Sequence, residues 1–187
     1  MSTEQQSSEN KKTTSVLGFI NRFAVAHTVA YFIAGLIFSA LMNYQEIFAT
    51  SAFSHMRPFE HPLVILGPTL QLFRGAFLAL AFLPFRHVII ESKRGWVYVF
   101  VALWILMNVG ADSAEPGKIE GLIYADYSLA EHLFSFPEFT CSTLLSAWLF
   151  HTWERNPKDK RLSIPLIGAV VVILAFAVLG LLFMSPM

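Results

Sequence analysis

Arg74 interrupts a long apolar run and shares helical spacing with Gly67, Gln71, Gly75 and Leu78. On one helix these residues form a single face. If that helix begins at Pro62, Arg74 lies about 18 Å along it, near the middle of a bilayer. A central arginine costs ~2.5–3.5 kcal/mol to insert, so it needs a partner or a purpose. The partner would be a carboxylate that docks a second helix. The purpose would be a cation facing an anionic ligand, with Gln71, Asn108 and Asn43 as further ligand-binding candidates. Gly67 and Gly75 would let another helix approach closely.

Carboxylates suited to Arg74 occur in two places. Asn108, Asp112 and Glu115 fall at i, i+4 and i+7, and share a face if their helix extends that far. Glu131, Ser135, Glu138, Ser142 and Ser146 form a longer stripe if a helix starts near Leu129. Glu138 would then be about 13 Å deep and within reach of Arg74. A second reading starts the helix at Phe136. Ser135-Phe136-Pro137-Glu138 is then an S-x-x-E capping box, and residues 121–134 form an interfacial segment. The sequence leaves both readings open, and a proline-kinked long helix would combine them.

Acid–base catalysis needs a titratable group poised beside its substrate, and Glu138, His132 and Asp112 are the candidates. A divalent metal would draw ligands from Glu131, His132, Asp112 and Glu115, without any H-E-x-x-H or H-x-x-x-H spacing. A b-type haem would need histidines on facing helices. His27 with His151, or His61 with His132, would supply them in two layers. No pattern specifies a cofactor. There is no G-x-S-x-G, no phosphate-binding loop and no dinucleotide fingerprint.

Such residues need elements to hold them, and the composition says which kind. Hydrophobic residues make up 55% of the 187 and charged residues only 14%. A soluble domain carries about 25% charged residues. Mean hydropathy is +0.56, and the excess is gathered in long runs. An all-α, polytopic membrane bundle is therefore expected. Five spans are predicted: about 19–42, 62–85, 96–111, 130–153 and 164–183. Residues 1–16 are polar and read as a disordered cytoplasmic tail, with residues 17–187 as one transmembrane domain. The first apolar stretch is too long for a signal-peptide core and reads as an uncleaved span.

Charge orients the bundle. Lys11, Lys12 and Arg22 lie at one end of span one. Arg86, Lys93 and Arg94 join spans two and three, and Arg155, Lys158, Lys160 and Arg161 join spans four and five. The other loops hold Arg57 and Lys118, among Glu46, Glu60, Glu115, Glu120 and Asp126. The positive-inside rule then places the N-terminus in the cytoplasm and the C-terminus outside. Trp96, Trp148, Trp153 and Tyr44 fit interfacial belts.

Span one adds a face of Ala24, Thr28, Tyr31, Gly35, Ser39 and Asn43, with His27 at its edge; Tyr31 and Asn43 would line a cavity. The outer half thus gathers Asn43, His61, Arg74, Asn108, Asp112, Glu115, Glu131, His132 and Glu138 around one outward-facing pocket. The inner half offers little beyond His27. Net charge is +0 and no dense basic patch exists, which excludes a nucleic-acid partner. Five unequal spans do not divide into inverted repeats. Cys141 is the sole cysteine, so no internal disulfide forms. The expected role is a non-catalytic membrane subunit or small-ligand binding protein, partnered by the bilayer and by other subunits or further copies of the chain. The alternative is a membrane-embedded enzyme acting on a lipophilic substrate. The expected location is the cell membrane, of bacterial inner-membrane type.

Overall fold

The computed structural model describes residues 15–48, 56–58 and 61–183. Among them every regular element is helical and no strand occurs. The predicted tail lies outside the described residues up to position 14, and so does Glu60. Helix α1 (Val16–Leu41) starts within the last positions assigned to that tail, because the Ser15 hydroxyl accepts from the Gly18 N–H and caps it.

Short α2 (Tyr44–Phe48) and α3 (Pro62–Ile65) lead to α4 (Gly67–Phe82). A 3₁₀ turn at Leu83–Phe85 continues into α5 (Arg86–Glu91). Span two therefore remains helical through Arg86 and His87, beyond its expected end at 85. Pro84 sits in the first turn of the 3₁₀ segment, where its missing N–H is tolerated.

Helix α6 (Gly95–Trp104) runs into a π-helical turn, Ile105–Val109. Short α7 (Ile119–Tyr124) precedes the long α8 (Leu129–Arg155), and α9 (Lys160–Phe183) closes the order. Three segments are long and apolar enough to cross a membrane: Val16–Leu41, Gly67–Glu91 and Lys160–Phe183. Gly95–Val109 is apolar but shorter. Helix α8 has the length, at 27 residues, but its N-terminal half carries Glu131, His132, Ser135 and Glu138.

The start at Leu129 selects between the two readings of span four. Ser128 accepts from the Glu131 N–H, and the Glu131 carboxylate accepts from the Ser128 N–H at 2.6 Å. This capping box lies seven residues before Ser135-Phe136-Pro137-Glu138 and wins because it is complete. Ser135 donates to the His132 carbonyl instead, and Pro137 lies inside the helix.

Helix α1 is the hub. It packs along α8 and along α4, while α6 packs on α8. Helix α9 rests on α1 and α4. In lipid, apolar contact gives little net drive, so close fit and polar contacts hold helices together. Gly75 shows the fit: a Cβ there would stand 2.7 Å from the Ala24 Cα. Phe19, Phe23 and Phe150 interlock at 4.8–4.9 Å between ring centroids where α1 meets α8. Trp104 donates to the Thr140 hydroxyl at 2.9 Å and stacks on Phe136, which ties α6 to α8. Helices α4 and α6 are not among the tightly packed pairs, so the ring α4–α1–α8–α6 stays open on one side.

Candidate functional site

Three elements converge near the middle of the bundle. Helix α1 contributes His27 and Tyr31, α4 contributes Arg74, and α8 contributes Ser135, Glu138, Ser142 and Thr143. The π-turn adds Met107 and Asn108, and the following loop adds Glu115, Pro116 and Lys118. Together they enclose a polar cavity of about 280 Å³.

Arg74 lines this cavity and is exposed. It makes no ion pair; among the described residues the ion pairs are Arg22–Glu154 and Lys118–Glu115. Glu138 lines the same cavity, but its Oε2 accepts from the Tyr44 hydroxyl. Its Oε1 faces Gly35, where a Cβ would stand 3.5 Å away. The loop cation Lys118 is held by Glu115. The cavity thus presents one guanidinium that no carboxylate pairs among the described residues.

Two walls carry polar atoms that the protein leaves unsatisfied. His27 is 4% exposed and neither ring nitrogen completes a hydrogen bond. Gln71 approaches that ring without completing one, and its own Oε1 is buried without a partner. Asn108 is also 4% exposed, and its Nδ2 has no acceptor. An unmet buried polar group costs roughly 1–3 kcal/mol, so each calls for an explanation. Asn108 is presented by the π-turn, a distortion frequent at functional sites.

The remaining predicted residues lie elsewhere or are already engaged. Asn43 adopts a left-handed φ of 47° in the turn between α1 and α2. Asparagine tolerates that conformation, which makes it a helix stop. Asp112 is exposed in the loop, off the face it was expected to share with Asn108. The helix closes early there: the Gly110 N–H bonds back to the Ile105 carbonyl at 2.7 Å. Glu131 belongs to the α8 cap. His132 is buried and its Nδ1 accepts from the Gly117 N–H at 2.9 Å. Among the described residues no three His, Cys, Asp or Glu side chains come together to hold a metal ion.

The histidines proposed for haem have separate surroundings as well. His61 caps α3 and contacts Arg57, and His151 contacts the Ser92 carbonyl at 3.0 Å. His27 alone of the four lines the cavity.

The sequence reading undervalued the other end of the bundle. Arg22 bonds Glu154 through Nε at 2.5 Å, and the Glu154 side chain has 0% exposure. By sequence Arg22 belongs with Lys11 and Lys12 to the basic N-terminal tail, and Glu154 has no role. The signal was present, because Arg22 falls inside its own predicted span. Trp153 also departs from expectation: it is 5% exposed and packs in the core rather than in an interfacial belt.

Comparison with protein-family models, with curated proteins and with solved structures gives no match.

Proposed function

We propose that this chain is a five-span integral membrane protein whose polar cavity binds a small ligand, and that it acts as a binding protein or as a non-catalytic subunit. One observation carries the reading. The cavity holds a cation that is in no ion pair among the described residues, beside two buried side chains, His27 and Asn108, with unmet hydrogen-bonding atoms. A ligand with acceptor atoms and negative charge would satisfy Arg74 and Asn108 together.

The five-span count rests on the three long apolar helices together with Gly95–Val109 and the 27-residue α8. Helix α8 supplies the polar wall, and its neighbours α1 and α6 shield its buried residues. The alternation of basic loops sets the N-terminus in the cytoplasm and the cavity toward the outer side. The cell membrane, of bacterial inner-membrane type, is the proposed location. Other membrane subunits or further copies of the chain are the proposed partners.

The test is native mass spectrometry of the protein released from mild detergent, beside the Arg74→Gln variant. The expected result is a stoichiometric adduct on the wild type that the variant lacks. An identical apo mass for both proteins overturns the binding reading. A second reading makes Glu138 the acid or base of a membrane-embedded enzyme; its support is that this carboxylate lines the cavity. Glu138→Gln would then keep the adduct and turn it from product to substrate. The same adduct in both proteins removes the enzyme reading.

A further inference from the structure

A second cavity lies in the open side of the ring between α4–α5 and α6. It measures about 330 Å³ and is walled by apolar side chains, among them Leu78, Ala81, Phe85, Val88 and Ala102, with Tyr98 at one edge. Several of these walls face outward: Phe85 is 61% exposed and Val88 58%. The groove therefore opens to lipid. Met107 lines both this groove and the polar cavity. Leu78 of the groove is one helical turn from Arg74 of the cavity. Asn108 follows Met107 directly, so the π-turn forms the threshold between the two spaces.

We propose that cavity and groove are one site for a single-chain carboxylate amphiphile drawn from the membrane. Its head group lies on Arg74 and Asn108, and its hydrocarbon tail passes Met107 into the groove. The proposal rests on the polar cavity being a ligand site.

Charge and shape choose this occupant. Lys118 is already held by Glu115, so Arg74 is the cation left for a ligand, and one negative charge matches it. Glu138 in the same cavity disfavours a dianion such as a phosphate monoester. The groove presents almost no polar surface, as a tail requires. From Leu78 to Val88 it follows ten residues of helix, about 15 Å. Each cavity is near the lower limit of known ligand sites, and the joined space lies within their range. A tail leaving lipid for this groove gains little, because both are apolar. The head group must therefore carry the discrimination.

The full chain in phosphatidylcholine nanodiscs would be photolabelled with a mid-chain diazirine analogue of dodecanoic acid. Dodecanoate, dodecanol and butyrate serve as competitors. The expected label maps to Gly67–Glu91 and Gly95–Val109. Dodecanoate should compete better than dodecanol by about tenfold or more, the worth of a charge-assisted contact. Arg74→Gln should erase that preference. Ala81→Trp places bulk in the groove from an exposed position, so the bundle still folds, and it should abolish labelling.

Label spread evenly over all lipid-facing helices overturns the proposal, as does equal competition by acid and alcohol. Butyrate that raises the unfolding temperature of wild type and Ala81→Trp alike, with no specific labelling, removes the amphiphile and keeps the cavity as a ligand site. No effect of butyrate and no specific labelling removes both.

Discussion

Glu154 has no exposed side-chain surface and meets Arg22 through a single 2.5 Å contact, while Glu154 Oε1 and Arg22 Nη2 find no partner. Such a pair is weak as a net stabiliser and costly to halve, since removing one charge strands the other. Glu154→Ala should lower stability by ~3–5 kcal/mol, and an Arg22→Met, Glu154→Leu double variant should recover most of it. Unfolding of the three proteins in mild detergent measures both effects; a single variant as stable as wild type would contradict this account. Tyr44 offers a pH test. Burial, the hydrogen bond to Glu138 and the Glu138 charge all push its phenol above the usual tyrosine range near 10. A raised value in the fold means that its contribution is complete at neutral pH and falls as pH rises past about 10. Thermal unfolding against pH should show that alkaline decline in wild type, with a flatter limb in Tyr44→Phe. Parallel curves would remove the Tyr44–Glu138 contact from the account. At this scale the sequence showed which residues were unusual, namely Arg74, Asn108 and Glu138, because ionisable or amide groups in apolar runs stand out. It did not show who pairs with whom. Arg74 and Glu138 share a cavity without an ion pair, and the buried pair forms between a residue that reads as tail charge and one that carries no signal.

Helix boundaries decided where those residues went. Asp112 left its predicted face because the π-turn and Gly110 closed span three early. Glu131 became a cap because Ser128 stood three residues before it. Both outcomes turn on backbone hydrogen bonds a few residues long, which hydropathy does not register. Hydropathy did register the runs themselves, and small residues marked contact faces, though unequally. Gly75 abuts the α1 backbone, whereas nothing lies within 4 Å of a Cβ at Gly67. Gly75→Ala should therefore force α1 and α4 apart and cost ~1–3 kcal/mol, as overpacking does. Gly67→Ala should be close to neutral. Matched unfolding curves check the contrast, and equal losses would show that the α1–α4 approach is looser than the geometry implies.

At the scale of the whole molecule, fold class was readable from composition, since a chain this apolar and this poor in charge has few other ways to satisfy its backbone. The open seam between α4 and α6 was not, because it depends on which helix pairs fail to meet. Topology can be tested with the chain's own economy in thiols. Cys141 is the sole cysteine, so Cys141→Ser gives a thiol-free background for single-cysteine reporters. An impermeant maleimide applied to intact cells should label Lys118→Cys and spare Lys158→Cys. The reverse pattern inverts the orientation, and labelling of both shows that α8 does not cross and contradicts the five-span count.

The π-turn at Ile105–Val109 also bears on how this protein tolerates change. A π-turn holds one residue more than the α-helical turn it replaces. Loss of Leu106, which is 69% exposed, would let span three close as an ordinary α-helix. Asn108 would then move to the place of Met107, and the threshold between the two spaces would lose its thioether. Such a deletion should leave a well-folded protein that no longer retains the proposed ligand. A one-codon deletion scan across this segment is therefore expected to single out one position where foldedness and retention part company.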